Sequence, residues 1–285
     1  MKIATLGPRG TYSEQASRIY AQRLAIDSPE IEFTTVDRSL RYVETRLANV
    51  AIVPVENMVD GVIGSTLDAI IEHHDFVKVC DEVNVKISHV LATAIDTSLS
   101  EIECIYSHSS ALNQCSSRLS HLIPKAKLIP VGSTSEAAKY VKENGKGKHA
   151  AICSREAALE YNLKILNNDI QDYSNNMTRF MVCALTDSPY TGRDKTLMAI
   201  KPGKDRPGIL YGLLKELAVR NVNMTFIQSR PYKIRPNEYV FVVEITGHKT
   251  EPHIEAALCD IEKQIRESDG WKKILGSYPY RGIEE

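Results

Sequence analysis

Residues 2–25 read KIATLGPRGTYSEQASRIYAQRLA, and the fold class turns on this stretch. KIATLG is a short apolar run that ends in Gly-Pro, which reads as a buried strand giving way to a turn. From Thr11 onward the pattern takes on the 3.6-residue period of a helix, with Thr11 or Ser13 placed to cap it and Glu14 in its first turn. Strand, glycine turn and helix start form an arrangement suited to an anion, because the backbone N–H groups of a first helical turn point outward.

The same alternation continues along the chain. ANVAIVPVEN (48–57) reads as a buried strand ending in polar residues, followed by a glycine-containing loop and the helical STLDAIIEHH (65–74). FVKVCDEVNVKISHVLAT (76–93), EIECIYSH (101–108) and AKLIPVGS (126–133) read as strands, and ALNQCSSRLSHL, SEAAKYVKEN and SREAALEYNL as helices. Strands alternating with helices predict an α/β domain with a largely parallel or mixed sheet, whose ligands collect at the strand ends. The polar clusters GPRGTYS, PVENMVDG, YSHSS, VGSTS and NNMTR all fall at such ends. Composition breaks at TDSPYTGRDKT (186–196), a plausible linker, and beyond it the elements run βαββαβ, the order of a small ferredoxin-like domain.

Bulk properties bound the function. A chain of 285 residues suggests about two domains, and its 43% hydrophobic and 25% charged content is that of an ordinary globular protein. A net charge of −1 gives no electrostatic footprint for nucleic acid or an anionic membrane. No apolar run approaches the ~20 residues of a membrane span, and MKIATLGPRG lacks the apolar stretch of a signal peptide. The six cysteines are scattered without a CxxC pair, so zinc spacing is absent and a disulfide framework is not expected. A reduced, cytoplasmic enzyme or sensor is the expectation.

The polar clusters, in their order, resemble prephenate dehydratase, an enzyme of phenylalanine biosynthesis, followed by a regulatory ACT domain. GPRGTYSEQA (7–16) is similar to that family's GPxGTFSxxA, PVENMVDG (54–61) to PIENSxxG, SHSSALNQC (107–115) to SHPQALxQC, STSEAA (133–138) to STAEAA, and NMTRFMV (176–182) to NxTRFxV. In the second domain RPGIL resembles PGAL, QSRP resembles ESRP, and LGSYP is close to the family's ending. The resemblance implies a two-lobed catalytic domain like a type II periplasmic binding protein over residues 1–186, with lobe 1 at about 1–75 plus 170–185 and lobe 2 at about 80–165. An ACT domain over 196–280 would follow. It further implies a carbon–oxygen lyase converting prephenate to phenylpyruvate, with no metal or organic cofactor, and assembly as a homodimer or homotetramer. No chorismate mutase domain is expected ahead of residue 1.

By the same resemblance Thr178 donates a hydrogen bond or a proton to the leaving hydroxyl, which otherwise departs poorly. The dianionic substrate would be held by Arg179, Thr11, Ser13, Asn57, Ser107, His108 and Asn176. Phenylalanine would bind as effector at Pro207, Gly208, Ile209, Leu210, Gln228, Ser229 and Arg230. Each assignment has a plainer alternative. Thr178 and Arg179 also suit a strand start, Thr11 and Ser13 a helix cap, and His108 another cap. Phe180 reads as core, Glu56 as a structural carboxylate and Cys115 as a buried, inert thiol. This chain departs from the family pattern at Met58 for serine, Ile209 for alanine and Gln228 for glutamate. Other readings are an arogenate dehydratase, a non-aromatising decarboxylase, which would have no use for Thr178, and a catalytically silent prephenate or amino-acid sensor.

Overall fold

The structure, a computed structural model, describes residues 1–72, 76–203, 207–266 and 269–282. His73 and His74 of the first predicted STLDAIIEHH helix, Arg206 of RPGIL and the Glu267–Ser268 end of the last predicted helix lie outside the described residues. The chain opens with β1 (Lys2–Leu6), α1 (Tyr12–Arg23), β2 (Glu30–Thr34), α2 (Val36–Glu44), β3 (Val50–Asn57), β4 (Gly61–Val62), α3 (Gly64–Glu72) and β5 (Lys78–Lys86). A second run follows: β6 (Val90–Thr93), a 3-10 turn (Leu99–Glu101), β7 (Cys104–Ser107), α4 (Ser109–Gln114), α5 (Ser116–Leu122), β8 (Lys127–Pro130), α6 (Thr134–Asn144), β9 (His149–Cys153), α7 (Arg155–Glu160) and β10 (Lys164–Asn167). After β11 (Met177–Ala184) come β12 (Asp194–Lys201), α8 (Ile209–Ala218), β13 (Met224–Pro231), β14 (Tyr239–Thr246), α9 (Pro252–Arg266) and β15 (Trp271–Pro279).

Among the described residues these strands form three sheets. The first has the order β2-β1-β3-β11-β5, with β4 paired to β3; the second is β10-β6-β9-β7-β8; the third is β13-β14-β12-β15. β3, whose VAIVPV is buried on both faces, is a central strand of the first sheet.

In the second sheet alternation sorts the side chains into two cores. Val90, Ala92, Tyr106, Ala151 and Cys153 pack with α6 and α7, while Leu91, Ile105, Ala150 and Ile152 pack with α4 and α5. Each fully buried valine, leucine or isoleucine side chain there contributes roughly 1.5–3 kcal/mol. On one face of the third sheet Met198, Ile200, Val243 and Ile245 meet Leu213 and Leu217 of α8 and Ile254, Leu258, Ile261 and Ile265 of α9, while β12 is buried on both faces. This is the βαββαβ arrangement expected for residues beyond the linker.

Three local expectations change. FVKVCDEVNVKISHVLAT is two strands in two sheets, so a lobe division near residue 80 falls inside β5, a strand of the first sheet. The break at 87–89 is fixed by outside partners: Ile87 N–H donates to Asn176 O at 2.8 Å and Ile170 N–H to His89 O at 3.0 Å. ALNQCSSRLSHL divides at Cys115, because Asp172 accepts from the N–H groups of Ser117 and Arg118 at 3.0 and 2.9 Å and starts a new helix. β2 and α2 lie in a polar stretch whose pattern had suggested neither.

Contact density divides the chain into one unit of Met1–Thr35, Pro54–Val62 and Asn84–Phe180 and another of Val36–Val53, Ile63–Val83 and Met181–Glu285. It does not follow the composition break at 186–196. Within the second unit Lys195 of β12 bonds Glu82 of β5 at 3.2 Å and Arg281 bonds Asp81 at 2.9 and 3.0 Å, tying the chain's end to β5.

Candidate active site

β3 ends in Asn57, and the chain turns back at once. Asn57 and Gly61 pair across the β3–β4 hairpin, leaving Met58, Val59 and Asp60 as its loop. Gly61 has φ +83°, the left-handed residue that closes a three-residue hairpin loop. Asn57 Oδ1 holds the turn by accepting from Val59 N–H and Asp60 N–H, both at 2.9 Å.

The other end of the same amide faces β11. Asn57 Nδ2 donates to Asn176 Oδ1 and to Thr178 Oγ1, each at 2.9 Å, with the Met177 carbonyl at 3.3 Å. Met58 N–H adds a bond to Met177 O at 2.9 Å. Thr178 accepts from Asn57, and no acceptor among the described residues takes its own hydroxyl hydrogen.

The network continues through Gln114 at the end of α4. Its Oε1 accepts from Asn176 Nδ2 at 2.8 Å and faces His89 Nε2 at 3.1 Å, and its Nε2 donates to Asp60 Oδ2 at 2.7 Å and Ser110 Oγ at 3.0 Å. Burial pushes the His89 pKa down, offset in part by the Gln114 bond and the Asp60 charge, so the ring is neutral. Facing a carbonyl oxygen, its Nε2 carries the hydrogen. Its Nδ1 lies 3.2 Å from the Tyr12 hydroxyl, which donates to Ser88 O at 2.5 Å. Burial also raises the Tyr12 pKa well above the usual phenol value, so the phenol stays protonated. Gln114, Asp60, Tyr12 and His89 were missed by sequence reasoning. The signal for Gln114 was a polar side chain inside SHSSALNQC at a position that proves buried.

The other predicted residues are placed differently. Arg179 alternates with Thr178 along β11: Thr178 and Phe180 are buried on one face and Arg179 is half-buried on the other. Gly10 N–H donates to Glu14 Oε2 at 2.7 Å, and Thr11 Oγ1 donates to Pro8 O at 2.9 Å. The GPRG turn is gripped by helix-start hydroxyls, Ser154 Oγ donating to Gly10 O at 2.9 Å and Ser135 Oγ to Arg9 O. Gly10 has φ +81°, and a Cβ there would lie 3.2 Å from Ala157 Cα, so both backbone shape and close approach require glycine. Ser13 is buried in α1. Ser107 is buried and donates to Ile152 O at 2.7 Å, while His108 caps α4, its Nδ1 accepting from Ser110 N–H at 3.3 Å. No hydrogen bond joins Thr11, Ser13 or Ser107 to the Asn57 cluster among the described residues, and His108 meets it through the Ser110 N–H. Met58 is 65% exposed, so its side chain does not fill the cluster. Cys115 is fully buried with its thiol pushed up to about 12 by desolvation, an inert group as expected.

In the second unit Pro207, Gly208 and Ile209 at the head of α8, with Gly212, Leu213, Gln264 and Ile265, line a cavity of about 170 Å³. Gln228 Nε2 donates to Ser229 O at 3.1 Å. Arg230 forms a two-pronged pair with Asp68 of α3, both bonds at 2.8 Å, and Lys233 joins Asp68 at 3.2 Å. A Cβ at Gly64 would meet the Arg230 Cζ at 2.6 Å, so glycine lets the guanidinium lie against the first turn of α3. The expected effector residues are thus divided between an α8 cavity and a strand whose arginine serves α3.

Comparison with known proteins fits this geometry. Residues 3–188 match the family model for prephenate dehydratase, and residues 203–263 match that for the ACT domain. A bifunctional chorismate mutase/prephenate dehydratase of Aquifex aeolicus is 38% identical, over 100% of this chain and 75% of its own length. A prephenate dehydratase of Methanocaldococcus jannaschii is 33% identical over 95% of this chain and 96% of its own. Among solved structures, a prephenate dehydratase from Arthrobacter aurescens in complex with L-Phe superposes with a TM-score of 0.88 at 32% identity, covering 98% of this chain and 90% of that one.

Proposed function

The chain belongs to the prephenate dehydratase family, and on that premise we propose that it converts prephenate to phenylpyruvate with Thr178 as donor to the departing hydroxyl. In this reaction the bond from the ring to its carboxylate breaks, releasing carbon dioxide. That electron pair enters the ring as the C–O bond breaks, and the hydroxyl leaves as water once it has gained a proton. Aromatisation drives the step, and the residues have only to ease departure of a poor leaving group.

The observation that supports this reading is the bond from Asn57 Nδ2 to Thr178 Oγ1 at 2.9 Å. It makes the threonine oxygen an acceptor on one side and leaves its hydrogen for the substrate. A threonine hydroxyl is a weak acid, so its larger effect is a fixed dipole aimed at the oxygen where charge develops. Asn176, tied to both Asn57 and Gln114, keeps that arrangement rigid. Arg179 with the helix-start residues Thr11 and Ser13 are the proposed holders of the substrate carboxylates. Ser107 and His108, whose polar atoms serve β9 and α4, are assigned to shaping the start of α4.

We assign residues 1–186 to catalysis and 196–280 to regulation, with L-phenylalanine as effector. The L-Phe held by the Arthrobacter relative supports that choice. A homodimer or homotetramer in the cytoplasm completes the proposal; among the described residues no helix is long and apolar enough to cross a membrane. The test is turnover of prephenate against arogenate, following phenylpyruvate by its alkaline absorbance, with and without phenylalanine. Phenylpyruvate formation is expected. Turnover of arogenate alone, or of neither compound by folded protein, overturns the assignment.

A further inference from the structure

We propose that Asp60 is a positioning residue for this reaction, fixing the orientation of the Gln114 amide and through it the donor geometry at Thr178. The inference rests on the functional reading above. Asp60 closes the hairpin loop whose turn is held by Asn57 Oδ1, so its carboxylate is carried by the same rigid turn that orients the site. From there it reaches α4. One oxygen, Oδ2, accepts from Gln114 Nε2 at 2.7 Å and from the Ser110 hydroxyl.

The consequence is a choice of amide face. A glutamine side chain can present its oxygen or its nitrogen in either direction, and its neighbours decide which. A carboxylate is an acceptor only, so Asp60 takes the Nε2 end and turns Oε1 toward Asn176 Nδ2 at 2.8 Å and His89 Nε2 at 3.1 Å. With Asn176 Nδ2 satisfied by Gln114, Asn176 Oδ1 faces Asn57 Nδ2, and Asn57 Nδ2 in turn bonds Thr178 Oγ1. Reverse the Gln114 amide and two N–H groups would face each other at Asn176. Asn176 would then rotate, Asn57 would lose an acceptor, and the Thr178 hydrogen would no longer be aimed. Asp60 lies at the exposed end of this relay and Thr178 at the buried end.

The test compares steady-state turnover of prephenate by wild type, Asp60→Ala, Asp60→Asn and Ser110→Ala, with folding checked by circular dichroism. Asp60→Ala is expected to lower kcat about tenfold with KM within about twofold, since misplaced catalytic groups cost rate more than binding. Asp60→Asn, which can still offer an oxygen to Gln114 and Ser110, should recover kcat to within about threefold of wild type. Three results would overturn the proposal. They are an unchanged kcat in Asp60→Ala, an Asp60→Asn as slow as the alanine variant, and a lowered KM at unchanged kcat, the mark of a carboxylate competing with substrate for the same donors. If Asp60→Ala does not fold, Ser110→Ala decides: a loss of kcat at constant KM supports the relay, and no loss sinks it. Wild type inert toward prephenate would instead refute the functional reading and is seen before any variant is made.

Discussion

Asn57 donates to Thr178, and not the reverse: Nδ2 lies 2.9 Å from Oγ1, and the amide oxygen of Asn57 is already occupied by two backbone N–H groups of its own turn. The direction of that one bond decides what Thr178 can do. With its lone pair engaged, the hydroxyl must point its hydrogen elsewhere, and an accepted hydrogen bond makes it the better donor. Replacement of Thr178 by alanine should therefore lower kcat by about 10²–10⁴-fold with little change in KM, the range for loss of a positioned acid or donor. Thr178→Ser, keeping the hydroxyl, should retain most of the rate. Equal losses in both variants would show that the methyl group, and not the hydroxyl, was the requirement.

Replacing Asn57 by aspartate separates orientation from shape. The new side chain keeps an oxygen for the Val59 and Asp60 N–H groups but puts a second acceptor where Nδ2 now donates. Thr178 would turn its hydrogen into that carboxylate, and kcat should fall about 100-fold while the fold survives. Asn57→Ala differs in kind. It leaves the turn N–H groups and Asn176 Oδ1 without the Asn57 amide and should cost about 1–3 kcal/mol for each buried group left unsatisfied, read as a lower urea midpoint. A fully active Asn57→Asp would mean that the Thr178 hydrogen already points at the asparagine.

Sequence was a good guide where one segment determines its own structure. The strand–turn–helix of residues 2–23 and the βαββαβ run beyond residue 193 follow from apolar period together with local turn, cap and composition signals. Asn57, Asn176 and Thr178, quoted from separate motifs, do converge. The failures have a common cause, which is that partners distant in sequence decide the outcome. Residues 76–93 read as strand throughout, and bonds from 87–89 to Asn176, Ile170 and Gln171 break the stretch between two sheets. The carbonyls that take the Thr11 and Ser107 hydroxyls, Pro8 O and Ile152 O, are likewise not announced by either motif. Gln114 was hidden because a glutamine in a helix is usually solvated; its role appears only once α4 lies beside Asn176 and Asp60.

The Arg230–Asp68 pair makes a prediction in pH. Hydrogen bonding from Arg230 is the main cause holding the Asp68 carboxyl below its usual 3.8, with burial acting against it. A carboxyl with a lowered folded pKa contributes stability that is complete above its unfolded value and disappears as pH falls through the folded one. Wild type should thus have a higher urea midpoint than Asp68→Asn at neutral pH. The gap should close as pH drops below about 4 and approaches the folded value. A gap that persists unchanged into strong acid would show that the pair's worth lies in shape and not in charge.

Ile209 makes the last prediction, at the head of α8. The cavity it lines measures about 170 Å³. Sites that enclose small organic ligands usually offer about 300–1,000 Å³, so this space is too small to bury phenylalanine as it stands. Trimming the side chain is the direct remedy, because α8 begins at Ile209 and the residue is only half-buried there, so its loss should not collapse the third sheet's core. In Ile209→Ala, phenylalanine should inhibit turnover at about tenfold lower concentration than in wild type, a gain of about 1.4 kcal/mol in effector binding. Titration calorimetry should show the same tightening in binding. An Ile209→Ala protein no more sensitive than wild type would place the effector elsewhere, and the strand bearing Gln228 and Ser229 would be the next to alter.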